Sequence, residues 1–296
     1  MDRCRNWKEL LEETGKAGFK SLELNVEVPE KWFPEIIASV EKGEIQISSL
    51  HNFCPKLENL PPGKNIYNAY MLTAANEEER QAAVEYTLKT IEWASRVGAK
   101  AVVIHAGDID TNPSGREVFK YADQFGVKGK LLGKYISSLM EDRKGKAGRP
   151  LESLMRSFDD ILKAADAANI VIGLENRVYL HEIPNIEESL MILDNFKGGP
   201  IGHWHDTGHA EIFVRMGVVE SHKNYMEALG GRIVGLHLHD VKKVSDHYAP
   251  GRSDLDFAMI APYIPKNALR VIEAHPKSSV SEIRCSIDYL KKIGIE

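Results

Sequence analysis

Residues 233–240 read Ile233-Val234-Gly235-Leu236-His237-Leu238-His239-Asp240, and this run decides how the rest of the chain is read. Side chains alternate along a strand, so Leu236 and Leu238 face one way and His237 and His239 the other. The leucines are expected to meet helices and the histidines an interior shared with other strands. Six further β-rich runs, at 21–27, 45–53, 101–106, 170–175, 200–206 and 269–274, alternate with amphipathic helical stretches. That rhythm is the signature of βα units around a parallel sheet.

Seven such strands predict a (β/α)8 barrel of the TIM type that is one strand short. The missing or defective strand is the first. The chain opens directly on a helix-like stretch from Trp7 to Lys16, and residues 1–4 are barely enough for a strand. Either the barrel is imperfectly closed beside 21–27 or the natural start lies upstream. Helix starts are legible where Asn6 precedes Glu9, Asn76 precedes Glu79 and Ser279 precedes Glu282, each at capping-box spacing. Gly43, Gly98 and Gly230 stand where helices should stop. The segment 107–150 exceeds an ordinary loop. It holds a predicted helix near 130–142 and a flexible-looking basic stretch from Arg143 to Pro150, and should lie over the barrel mouth as a lid, a substrate-side wall or a solvated excursion. No linker, repeat or low-complexity tract divides residues 1–296, so one domain is expected.

Composition narrows the function. A net charge of −5 argues against blanket neutralisation of nucleic-acid phosphates. No run approaches the ~18 apolar residues of a membrane span, and no targeting signal is visible. Cys4, Cys54 and Cys285 are odd in number and far apart, which argues against a disulfide framework or thiolate zinc site and points to a reducing cytoplasm. A homo-oligomer is left open.

The chemistry concentrates in His203-Trp204-His205-Asp206-Thr207-Gly208-His209, since neutral imidazole and carboxylate are ordinary ligands of zinc and manganese-type ions. Alternation turns His51, His105, Glu175, Asp206, His237 and Glu273 toward one interior, each near a strand's carboxyl end, with His209 and His247 in following loops. Burying those groups together without an ion would be costly in desolvation and repulsion. A metal is therefore expected.

The chain resembles the xylose isomerase-like barrel superfamily, which includes sugar and sugar-phosphate isomerases and epimerases and the endonuclease IV-type repair enzymes. The resemblance rests on Gly18-Phe19-Lys20-Ser21-Leu22-Glu23-Leu24, Val103-Ile104-His105-Ala106-Gly107, Leu174-Glu175-Asn176, Asp206-Thr207-Gly208-His209, His237-Leu238-His239-Asp240 and Ile272-Glu273, in that order. It implies one divalent ion, zinc, manganese, cobalt or magnesium, held by Glu175, Asp206, His237 and Glu273. Glu175 and Glu273 would then move protons beside a substrate carbonyl through a metal-stabilised enediolate, on a small sugar-like substrate. The rival it implies is an endonuclease IV-like phosphodiesterase with up to three ions, the extra ligands being His51, His105, His209 and His247. Where that pattern has Asp two residues before the last histidine this chain has Ser245, with Asp246 out of phase.

Arg177 and Arg252 are candidate substrate or phosphate clamps. His239 reads as a support for the site or a substrate contact, and His275 as a donor to substrate. His203 and His205 read as core or helix-facing groups held by hydrogen bonds, and His181 and His222 as solvent groups. Trp204 reads as packing, while Trp32, Phe53 and Tyr248 either line the pocket or fill space.

Overall fold

The computed structural model describes residues 4–127 and 129–296. Seven parallel strands form one sheet: β1 (Ser21–Leu24), β2 (Gln46–His51), β3 (Ala101–Ile104), β4 (Val171–Glu175), β5 (Ile201–Asp206), β6 (Ile233–Leu238) and β7 (Leu269–Ile272), hydrogen-bonded in that order. They match the seven predicted runs, shortened at their ends. The sheet curls into a barrel that stays open between β7 and β1, which do not pair. Among the described residues no eighth strand joins it, and residues 1–3, part of the stretch too short for an opening strand, lie outside them. A cleft of about 840 Å³ occupies the seam, lined by Leu22 and Glu23 on one side, Val271 and Glu273 on the other, and Leu290 and Ile295.

The alternation behaves as anticipated. Leu236 and Leu238 are buried in the cluster that β6 shares with the surrounding helices. On the inner face Trp204 packs with Ala101 and Val103 beneath the mouth, and a Cβ on Gly235 would collide with its ring, so the indole plugs the barrel only because Gly235 leaves room. All three predicted caps form: Asn6, Asn76 and Ser279 accept from the backbone N–H groups of Glu9, Glu79 and Glu282. Gly43 and Gly98 take left-handed backbone (φ 71° each) just past their helices. Gly230 instead runs into a short 3-10 turn, Gly230–Arg232.

The segment 107–150 differs from its reading. It forms helices Gly115–Phe125 and Lys130–Lys146, and the supposedly flexible basic stretch completes the second of these and starts the next, Gly148–Ala167. Arg143, Lys144 and Lys146 lie in the last turn, where cations favour the helix dipole. Arg143 is also buried, donating two hydrogen bonds to Glu188 at 2.6 and 2.7 Å. No helix among the described residues is long and apolar enough to cross a membrane.

On the outer face of β5, His203 and His205 are fully buried, as helix-facing groups should be. Their rings continue into a chain: His203 Nε2 lies 3.2 Å from His205 Nδ1, His205 Nε2 lies 2.9 Å from His222 Nε2, and His222 Nδ1 lies 3.4 Å from Glu211. His222 is therefore not a solvent group. It opens the helix His222–Leu229 and is drawn inward by His205. Burial pushes His203 down to about 4 against the pull of the nearby Leu174 backbone, and burial with the neighbouring rings holds His205 well below the usual range. Between the native value and the unfolded ~6.5 only the unfolded chain binds these protons, so their stabilisation is present above pH ~6.5 and is lost as pH falls toward 4. His203→Gln, which cannot titrate, should lose less stability than the wild type between pH 7.5 and 4, by about 3 kcal/mol. Parallel denaturant-unfolding profiles for the two proteins would remove this account.

Candidate metal centre

The mouth takes an acid or an imidazole from each of the seven strands. Glu23 lies in β1, His51 ends β2, Glu175 and Asp206 end β4 and β5, and His237 lies in β6. His105, His239 and Glu273 each follow the last residue of β3, β6 and β7. One oxygen or nitrogen from each of Glu175, Asp206, His237 and Glu273 falls in a set whose members lie within 4.8 Å of one another. His237 is central to it, its Nδ1 standing 2.9 Å from Glu175, 3.2 Å from Glu273 and 3.7 Å from Asp206. Its Nε2 lies 2.9 Å from Glu23.

Burial alone would raise all three carboxyls and lower the imidazole. Glu175 is instead held well below the usual range by His105 and Arg177 and by its hydrogen bond with His237, Asp206 is lowered by His209 and His239, and Glu273 is held well below by His237 and His247. His237 is raised well above its ordinary value by the carboxylates of Glu273 and Glu23 and its hydrogen bonds to Glu175 and Glu23. Three carboxylates and one imidazole nitrogen aimed at one buried point make a donor set that suits a hard or borderline divalent ion.

These four groups are braced by their neighbours. Asn176 donates to the Asp206 carbonyl at 3.0 Å and accepts from the Asp206 N–H at 2.8 Å, tying β4 to β5. Asp206 caps the helix Thr207–Arg215 by accepting from His209 N–H at 2.7 Å. His239 Nδ1 accepts from the His247 N–H at 3.0 Å, so its Nε2 carries the proton and donates to Asp206 at 2.9 Å. That ring lies where a Cβ on Gly208 would be, which explains the glycine. His209 Nδ1 donates to the Asn176 carbonyl at 3.0 Å and leaves Nε2 facing the mouth.

Of three further groups that adjoin the first, two are His51 with His105 and Glu175, and Asp206 with His209, His239 and His247. Arg177 stands in the former: Nη1 is 2.6 Å from His105 Nε2 and 2.8 Å from Glu175 Oε2, and Nη2 is 3.3 Å from Glu182. Burial, with the Arg177 charge beside it, pushes His105 down to about 3. In the latter group both nitrogens of His239 are already engaged. His247, in left-handed backbone (φ 57°), stacks between His239 and His275, with centroids at 4.2 and 3.8 Å.

A profile described as the xylose isomerase-like TIM barrel matches residues 11–267. The chain belongs to this family. An uncharacterised protein of Methanocaldococcus jannaschii, MJ1614, is 23% identical over 228 residues, covering 75% of this chain and 72% of that protein. A D-tagatose 3-epimerase-like protein superposes with a TM-score of 0.69 at 19% identity, covering 98% of this chain and 93% of its own. The IOLI protein with a bound zinc atom superposes at 0.62 with 14% identity, covering 98% and 93%. At these identities the likeness is one of fold.

Within the family barrel the remaining predicted residues divide. Arg177 is buried in the cluster, whereas Arg252 is a surface residue paired with Glu282 at the start of the last helix. His275 is at the rim, one ligand atom close to His247 and Glu273. His181 is not a solvent group. It is buried, 3.8 Å from Asp108, against Gly115 where a Cβ would strike its ring. Trp204 is packing, and Trp32 and Phe53 join the main core. Tyr248 receives Lys242 and Lys277 over its ring. Glu23 and Glu182 were not singled out from the sequence. The signal for Glu23 was present in Ser21-Leu22-Glu23-Leu24, where alternation turns Glu23 inward between two leucines. Glu182 follows a turn of the chain and carries no such periodic cue.

Proposed function

We propose that this barrel is a divalent-metal-dependent isomerase or epimerase acting on a small sugar or sugar phosphate. The observation that carries the reading is the convergence of Glu175, Asp206 and Glu273 on a single nitrogen of His237, while Arg177 fills the adjoining group. When bound by these four residues, the ion supplies Lewis acidity that polarises a substrate carbonyl and offsets the charge left by proton removal. Glu175 and Glu273 arrive from strands separated by β5 and β6. Each is held ionised and is suited to accept a proton from carbon beside the carbonyl. Return of a proton by the other glutamate inverts that carbon, and return at the neighbouring carbon interconverts aldose and ketose. Arg177 and His275 are placed to donate hydrogen bonds to substrate oxygens, and His239 and Asn176 keep Asp206 in position. Structural likeness to a D-tagatose 3-epimerase-like protein supports a sugar as substrate.

A second reading, a phosphoester hydrolase with two or three ions, draws support from the proximity of His51 with His105 and of His209 with His247. Against it, a second cation in the His51 group would have to displace the Arg177 guanidinium. Incubation in D₂O with Mn²⁺, Zn²⁺, Co²⁺ or Mg²⁺ and a panel of ketoses and their phosphates, D-tagatose included, separates the two. The expected result is deuterium at a carbon next to the carbonyl, accompanied by the epimer or isomer. Absence of exchange with every sugar, together with metal-dependent cleavage of bis(p-nitrophenyl) phosphate or of an abasic duplex, would instead establish the hydrolase.

A further inference from the structure

The contact that lies outside this assignment is Glu23. It sits on β1, the edge strand of the open barrel, yet reaches across the seam to His237 on β6, 214 residues away in sequence. Its side chain is 7% exposed. One oxygen lies 2.9 Å from His237 Nε2, and the other accepts from Ser49 Oγ at 2.6 Å. The Ser49 hydroxyl holds the carboxylate in one orientation. On the far side of the same ring, Nδ1 faces Glu175, Glu273 and Asp206. The two nitrogens therefore have separate tasks. A carboxylate oxygen offers His237 Nε2 only an acceptor, so Nε2 carries a hydrogen; Nδ1 donates likewise to Glu175 at 2.9 Å when no ion is bound, and would give up that hydrogen to act as the ligand.

We propose that Glu23 is a positioning residue that fixes the tautomer and rotation of His237, so that Nδ1 rather than Nε2 is presented to a divalent ion shared with Glu175, Asp206 and Glu273. This rests on the single-ion reading above. Metal-ligating histidines gain orientation and basicity from a carboxylate on the second nitrogen, and removal of such partners typically weakens metal binding about 10- to 100-fold. Glu23 does this from β1, an edge strand with only one sheet neighbour, so the same contact links that free edge to β6 across the open seam.

The test is Mn²⁺ affinity, measured by competition with a fluorescent chelator, for wild type, Glu23→Ala, Glu23→Gln, Ser49→Ala and Asp206→Asn. Nitrogen-15 NMR of the histidine rings reports the tautomer of His237 in the same proteins loaded with Zn²⁺. Glu23→Ala should bind Mn²⁺ about 10- to 100-fold more weakly. It should also lose the single Nε2–H signature. Glu23→Gln, whose amide oxygen can still accept, should recover part of both, with Ser49→Ala between it and the wild type. If Glu23→Ala is poorly folded, the Glu23→Gln and Ser49→Ala comparison decides the matter. Wild-type affinity and an unchanged His237 tautomer in the Glu23 variants, with Asp206→Asn weakened, would overturn the role of Glu23 alone. Affinity unchanged in Asp206→Asn as well, or no Mn²⁺ binding by the wild type, would overturn the single-ion reading and this inference with it.

Discussion

Glu175→Gln should lower turnover by roughly 10²- to 10⁴-fold while leaving a folded protein, and Glu273→Gln should do the same. The amide keeps the shape of the side chain and an oxygen to accept hydrogen bonds, but it cannot take a proton from carbon. The principal structural risk in Glu175→Gln is the buried Arg177, which loses a charged partner at 2.8 Å. Glu182 remains beside it at 3.3 Å, so the guanidinium is not stranded. Glu273 is more exposed, and its substitution leaves Glu175 and Asp206 around His237. The decisive readout is exchange of substrate hydrogen with D₂O, because it isolates proton abstraction from product release. Loss of exchange with retained far-UV circular dichroism, measured at Mn²⁺ concentrations raised until each variant is saturated, is the expected pattern. Full activity in either variant would remove the paired-glutamate mechanism.

Much of this site is legible in the sequence because a single rule generates it. A strand followed by a helix puts its last inward residue at the mouth, so period-two alternation alone locates His51, His105, Glu175, Asp206, His237 and Glu273. The same rule separates His203 and His205 from Asp206, and the structure buries those two imidazoles on the outer face. What alternation cannot supply is reach. Arg177 follows Glu175 by two residues and returns to it, filling space that a strand pattern leaves blank. His181 and His222 lie in a turn and at a helix start, where no periodicity predicts burial, and they are drawn in by Asp108 and His205. Arg252 is drawn outward for a related reason: it pairs with Glu282, in the capping box of the last helix. The basic stretch 143–150 misleads because charge and glycine imitate a loop, whereas Arg143 is committed to Glu188 and the chain stays helical. The open seam follows from counting strands, and the Glu23 contact across it does not.

The central claim is that one divalent ion is held by Glu175, Asp206, His237 and Glu273. Asp206→Asn tests the weight of a single ligand without dismantling its surroundings, because Asn is also a good N-cap and can still accept from the His209 N–H. Its ion affinity should fall by more than the ~10- to 100-fold typical of outer partners. The most direct measurement is the number of ions bound per chain, by native mass spectrometry with metal analysis, in wild type, Asp206→Asn and a His51→Ala/His105→Ala double variant. The account predicts one ion per wild-type chain, lost in Asp206→Asn and retained in the double variant. Two or three ions per chain, falling in number when His51 and His105 are removed, would contradict it.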